Sequence, residues 1–428
     1  MVLIVFLILV AGLFIKAIVL IIMLTPIFLP LIRRLGRDPC AAINGSEHLE
    51  LKRPALFPGV PPWPAPVFLH RYRRRGRKAV AALGRNSAMK PTLRSLFGIA
   101  SAALGLVWAT GASAQSAPVE LRYATSAPPK TVWEMQILRF QKQVDEVSKG
   151  TLKINAFLNS QLGSEQDTVA QVARGRIDMG GYSVTAGSLL VPEISLLNIP
   201  FLFKDQKEQD CVLDKHLTKL TQDMFEKKGV VMLNWAEVGV ADIIGKKAFV
   251  SPNDLKGLKA RSAPNKVAAF MWSEFGANPN PLPVTEWNSA FQTGLIDVAD
   301  SGPTYYFFSG LAKLAPVITM TQHQDQGSVV LMNKAVYDKL SDEHKKVLEA
   351  ARTLVSDAQL RAEVRGFEAK IREMHKAAGG SIVELTPEQR AVWRKGIEAA
   401  WPKMVAVVGG EAPTYWKAIQ DGIKACSP

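Results

Sequence analysis

The segment Ser251–Pro303 reads SPNDLKGLKARSAPNKVAAFMWSEFGANPNPLPVTEWNSAFQTGLIDVADSGP, and its reading decides the fold. Asp254-Leu-Lys-Gly-Leu-Lys-Ala-Arg261 is a turn followed by a short alternating strand that ends on an arginine. Behind it, Ala268, Ala269, Met271, Trp272 and Phe275 recur at helical spacing, and Gly276 closes the helix. A second strand carries Pro279, Pro281 and Pro283; a helix starts at Glu286; Gly294 leads into a strand Leu295–Ala299. This β-α-β-α-β order predicts a sheet lobe with helical crossovers. An arginine ending such a strand, Arg261, faces the crevice where α/β sheets bind ligands. Guanidinium matches a carboxylate with two parallel hydrogen bonds. An ordinary strand-end ion pair is the alternative reading.

Upstream, Val119–Thr125 alternates as a first strand ending on a hydroxyl, Trp133–Val147 is an amphipathic helix closed by Gly150, and Leu152–Phe157 is a second strand. Together they open a second α/β unit. Asn159-Ser-Gln-Leu-Gly-Ser-Glu165 turns into a helix through Val172, whose N-terminus suits an anion or polar ligand as well as a plain cap. Gly175–Ser183 is a strand, and Val230–Ala236 another that leaves this unit. Ser341–Ala378 has no proline and a single glycine, which predicts one helix over about 50 Å long. Thr386-Pro-Glu-Gln389 is a capping box with proline at its first helical position, opening a helix to about Val408.

The formal charge is +14 over 428 residues, yet residues 1–114 hold 15 Lys/Arg against 3 Asp/Glu, leaving 37 against 35 for the rest. A nearly neutral body excludes a nucleic-acid binder. Met1–Ile32 is apolar apart from Lys16 and exceeds the ~20 residues of a membrane span. Arg33, Arg34 and Arg37 place its end in the cytoplasm. Residues 40–88 read as a basic, proline-rich linker. Residues 89–114 read as a Sec-type signal peptide: Lys90 and Arg94, an apolar run Leu96–Val107, then Ala112-Ser113-Ala114. The expected start is Met89, with a mature chain from about Gln115; by either route the body is extracytoplasmic. In that oxidising compartment Cys211 and Cys426 could pair, two separate thiols being the alternative.

DLKGLKAR at 254–261, GANPNP at 276–281, and Glu286, Ala290, Gln292, Gly294 and Asp297 together resemble the extracytoplasmic solute-binding proteins of TRAP (tripartite ATP-independent periplasmic) transporters. NSQLGSE at 159–165 and Ile199-Pro-Phe-Leu-Phe203 are similar to further runs of that family. Ile21–Pro39 resembles a fragment of the TRAP large permease subunit. The resemblance implies a two-lobe periplasmic binding protein fold (α/β, type II-like) with a long helix spanning both lobes. The implied division is 1–39 permease-like segment, 40–88 linker, 89–114 signal peptide, 115–238 lobe I and 239–326 lobe II. Residues 327–366 return to lobe I and enter the spanning helix, and 367–428 supply C-terminal helices.

It also implies that Arg261 holds a substrate carboxylate, with Thr125, Glu165, Tyr182, Ser183, Trp287, Ser301 and Tyr305 around it. Asp300 or Ser301 stands in for the family's common asparagine, and Val284 for its phenylalanine. Trp287, Tyr305 and Tyr306 read as aromatic walls or as structural rings, and Tyr182 as a cleft group or a core ring. A second arginine common near Val240 or Ala241 is missing, which favours a monocarboxylate over a diacid. The implied partners are a small organic carboxylate and the membrane permease subunits, for a monomer in the periplasm without cofactor or metal.

An exported α/β hydrolase or lyase is the competing class, but no G-x-S-x-G, HExxH, P-loop or GxGxxG motif occurs. His216, His323, His344 and His375 read as solvated or helix-surface groups. A membrane-tethered receptor for a sensor is the third class, and it would retain residues 1–114.

Overall fold

The computed structural model describes residues 117–427. The permease-like segment, the linker and the signal peptide lie outside the described residues. Among the described residues no helix is long and apolar enough to cross a membrane.

The first lobe opens with β1 (Val119–Thr125), α1 (Val132–Val147), β2 (Leu152–Phe157), α2 (Glu165–Ala173) and β3 (Met179–Ser183). Leu121 and Tyr123 of β1 are buried while Glu120 and Arg122 are exposed, so alternation fixes which face meets α1. Thr131 starts α1 by accepting from the Glu134 amide, and Gly150 reverses the chain at φ +79°. Helices α3 (Gln206–Val212) and α4 (Thr218–Glu226) follow, joined through a π-helical turn at Leu213–Leu217. The run Ile199–Phe203 packs into the core, with Phe201 donating its amide to the His323 carbonyl at 2.7 Å.

The long strand β4 (Val230–Gly245) then leaves for the second lobe. That lobe holds β5 (Lys259–Ser262), α5 (Lys266–Glu274), β6 (Asn278–Pro281), α6 (Trp287–Thr293), β7 (Val298–Ser301) and α7 (Pro303–Phe308). The equally long β8 (Val317–Asn333) returns. One sheet of order β2-β1-β3-β8-β4-β7-β5-β6 results, with β9 (Ser381–Glu384) on the edge of β8. β4 and β8 pair antiparallel through both lobes, and their register shifts at Met232/Asn234, Glu237/Gly239 and Ala241/Ile243. Such bulges concentrate twist where the lobes meet.

After α8 (Lys334–Lys339), the expected single helix Ser341–Ala378 is instead two, α9 (Asp342–Thr353) and α10 (Asp357–Ala377). Ser356 takes the Gln359 amide as an N-cap and Asp357 follows in the first turn, so a new start outcompetes continuation. α10, about 32 Å long, is the helix that spans the lobes. Arg139 of α1 pairs with its Glu363 at 2.8 Å, while Phe367 stacks on Phe308 of α7 with centroids 6.0 Å apart.

The capping box Thr386/Gln389 forms, but the helix to Val408 is also two, α11 (Pro387–Glu398) and α12 (Trp401–Val408). Pro402 cannot extend a preceding helix and sits in the first turn of the next. The last helix, α13 (Ala412–Cys426), is tied to α3 by a Cys211–Cys426 disulfide. The strand expected at Leu295–Ala299 lies at Val298–Ser301, because Leu295 and Ile296 turn back to hydrogen-bond Ala290 of α6.

Candidate functional site

Between the lobes lies an open cleft of about 1220 Å³, solvent included. Arg261, Thr125, Glu165, Tyr182, Ser183, Trp287, Ser301 and Tyr305 all line it. Chain topology brings them together: β1, β3 and the start of α2 come from one side, the ends of β5 and β7 and the starts of α6 and α7 from the other.

Arg261 ends β5 beside β7 and is 6% exposed. Its Nε donates to the Leu282 carbonyl at 3.0 Å, and its guanidinium lies 4.2 Å from the centroid of Trp287. Tyr305 meets that indole edge-on at 5.6 Å and donates its hydroxyl to the Val284 carbonyl at 3.4 Å. The cation is thus held by one hydrogen bond and an aromatic face. No carboxylate stands within 4.0 Å of it among the described residues. Burial lowers its pKa to about 10, with Asp300, Tyr305 and Glu165 opposing that shift; it remains a cation at neutral pH.

Across the cleft, Glu165 opens α2, whose N-cap is Ser164. Its Oε1 accepts from the Ser183 amide at 3.1 Å and its Oε2 from the Ser183 hydroxyl at 2.8 Å. Burial nevertheless raises its pKa, against those bonds and the charge of Arg261. Ser183 also accepts from the Ala186 amide, capping one helical turn at Val184–Gly187. Thr125 accepts from the Ala127 amide at 3.2 Å. Tyr182 is fully buried, and burial raises its pKa against a hydrogen bond with Thr168. Ser301 is buried and donates to the Gly302 carbonyl.

One open alternative is decided here, and one expectation fails. Tyr306 does not line the cleft; it is fully buried and donates to the Ala315 carbonyl at 2.6 Å, a structural ring. His323 and His375 are not surface groups but 1% exposed. His323 Nδ1 lies 2.8 Å from the Thr321 hydroxyl, which leaves its Nε2 without a partner among the described residues, and His375 Nε2 lies 3.1 Å from the Pro316 carbonyl.

Other lining residues carried no signal in the sequence. Trp133 donates to the Glu237 carbonyl at 3.0 Å, and Gln324 to the Asn198 carbonyl at 2.5 Å. Each stands in an ordinary helix or strand pattern, and only the meeting of the lobes brings them together. At the crossing, Arg365 of α10 holds Glu237 of β4 and Asp210 of α3 with bonds of 2.6–3.0 Å.

Two α/β lobes joined by crossing strands, with a buried cation in the cleft between them, define the class of extracytoplasmic ligand-binding proteins. The chain belongs to the bacterial extracellular solute-binding proteins, family 7, the periplasmic binding subunits of TRAP transporters; that family's model matches residues 123–407. It is a binding protein, not an enzyme.

The 2,3-diketo-L-gulonate-binding periplasmic protein of Escherichia coli is 32% identical over 250 residues, covering 57% of this chain and 75% of that one. The sugar acid binding protein of Advenella mimigardefordensis, solved with galactonate, matches with TM-score 0.69 and 25% identity over 72% of this chain and 99% of that one. A TRAP periplasmic solute-binding protein from Sulfurospirillum deleyianum, solved with succinate, matches with TM-score 0.66 and 27% identity over 73% and 100%.

Proposed function

We propose that the protein captures a small organic carboxylate in the interlobe cleft through a salt bridge to Arg261. It then delivers that solute to the TRAP membrane permease for uptake driven by an ion gradient. The observation that carries this reading is Arg261 itself. The side chain is buried, fixed through Nε and the Trp287 face, and both terminal nitrogens make no hydrogen bond among the described residues. A buried cation is stabilised by a paired anion, and a carboxylate gives the bidentate match.

Thr125, Glu165, Tyr182 and Ser183 contact the ligand from one lobe, and Trp287, Ser301 and Tyr305 from the other. Only a ligand that touches both lobes shifts the open–closed equilibrium. Without an arginine near Val240 or Ala241, a monocarboxylate is favoured over a diacid. The E. coli relative is named for an acid of that kind. Export through the signal at 89–114 places the body in the periplasm, with residues 1–32 as a possible membrane segment, and the protein acts as a monomer.

Ligand-dependent thermal shifts across a panel of carboxylic acids test this. Arg261→Ala removes the shift, with a loss of about 2–5 kcal/mol in binding. Normal binding by that variant overturns the site.

A further inference from the structure

The cleft pairs one cation with a surplus of acceptors. Among the described residues, four buried polar atoms of its lining make no hydrogen bond: Gln166 Oε1, Asn198 Oδ1, Trp287 Nε1 and Asp300 Oδ1. Three of these only accept, and Trp287 alone only donates. Buried acceptors left unpaired are costly, so a fitting ligand brings hydrogen-bond donors.

Asp300 decides what kind. An amide can turn to offer its NH2, but a carboxylate has no donor to turn. Asp300 is 6% exposed at the end of β7, the strand beside the one that presents Arg261. It makes no ion pair with Arg261, and its Oδ2 stands 3.7 Å from His323 Nε2, too far for a hydrogen bond. A ligand carboxylate on Arg261 therefore has a second, negative neighbour. Another carboxylate placed there meets like charge, a methylene leaves Oδ1 unpaired, and a hydroxyl satisfies it.

We propose that Asp300 sets the ligand class: it accepts a hydrogen bond from a hydroxyl on the ligand's carbon chain and repels a second carboxylate. The cleft then selects hydroxylated monocarboxylic acids, sugar acids in the chemical sense, over diacids and over unhydroxylated acids. This rests on the reading of Arg261 as the carboxylate holder. It adds a residue that discriminates partly by repulsion, which the arginine cannot do.

The test is calorimetric titration of the periplasmic protein with two sets of six-carbon acids: galactonate, galactarate and hexanoate, then gluconate, glucarate and hexanoate. In at least one set the wild type binds the hydroxylated monoacid at least about tenfold tighter than both competitors. Asp300→Asn, near-isosteric but uncharged, narrows the monoacid-to-diacid ratio by about tenfold. Asp300→Ser does the same, and melting of both unliganded variants reports their folding. Equal or tighter wild-type binding of the diacid or of hexanoate in both sets overturns the proposal, as does a ratio unchanged in the folded variants. Arg261→Ala separates the two readings. If it binds as wild type does, the carboxylate reading falls; if it loses binding while Asp300→Asn keeps the wild-type ratio, only the role of Asp300 falls.

Discussion

Removing the bridge between α3 and α13 tests how the C-terminal helix is secured. Cys211 and Cys426 are 215 residues apart, so the disulfide closes most of the body into one loop. In the chain-entropy picture, a loop of that length lowers unfolded-state entropy enough to stabilise the fold by about 5 kcal/mol. Residual structure in the unfolded chain reduces this, to roughly 3–5 kcal/mol. The native contacts at the same seam do not depend on sulfur. Thr221 and Tyr415 share a hydrogen bond at 2.8 Å, and the Ser427 hydroxyl donates to Glu208 at 2.7 Å.

The double variant Cys211→Ser with Cys426→Ser should therefore keep its fold while losing stability. For a body of this size the unfolding entropy turns that loss into a fall in Tm of about 5–8 °C. The assay is thermal unfolding followed by circular dichroism, with the wild type measured with and without a thiol reductant. The reduced wild type should melt with the double variant. Ligand affinity should hold, because neither cysteine lines the cleft. A fall below about 1 °C would refute the reasoning.

Glu237 and Asp242 give a pH dependence. Burial raises Glu237 to about 7 and Asp242 to about 6. The folded protein holds these protons at pH values where the unfolded chain has released them. The two groups therefore favour folding at acid pH, and that contribution declines as pH rises from the ordinary carboxylate range through about 7. Thermal melts at pH 5 and pH 8 (about those values) should show Tm falling, and Glu237→Gln should shrink the fall by an amount equivalent to roughly 2 kcal/mol; an undiminished fall removes Glu237 as the cause. Gly239→Ala acts on the crossing itself. Gly239 has φ +125°, and a Cβ there would collide with Glu368 Oε1, which accepts from the Val240 amide at 3.1 Å. Urea unfolding should show a loss of at least about 2–3 kcal/mol, and a stability equal to wild type would mean that the crossing is not held this way.

Much of the fold is legible in the sequence because its signals are local. Thr131, Ser164, Asn265 and Thr386 cap helices where hydroxyl or amide side chains precede apolar periodicity. The break at Leu354–Ser356 is less legible, since Ser356 suits a helix interior facing solvent as well as a cap, and only packing chooses. The cleft divides in the same way. Arg261 and Glu165 sit at element ends, where side chains reach ligands, so position marks them. Gln324 and Asn198 come from opposite ends of a path that runs through both lobes, and no local pattern announces their meeting. His323 and His375 show the limit of polarity as a guide, because each is buried beside an oxygen, supplied two residues along the same strand for His323 and from a distant part of the chain for His375.

The paired strands β4 and β8 bear on how this architecture can be divided. Each half of the molecule owns only part of both: residues 230–237 and 327–333 complete one sheet section, and residues 239–245 and 317–326 the other. A gene cut between the halves would hand each product a raw hydrogen-bonding edge where its neighbour had been. Fragments made that way should aggregate or recombine instead of surviving as independent modules. Inheritance of the two-part body is thus all or nothing, and new specificities must arise by changing the lining of the cleft, not by exchanging halves.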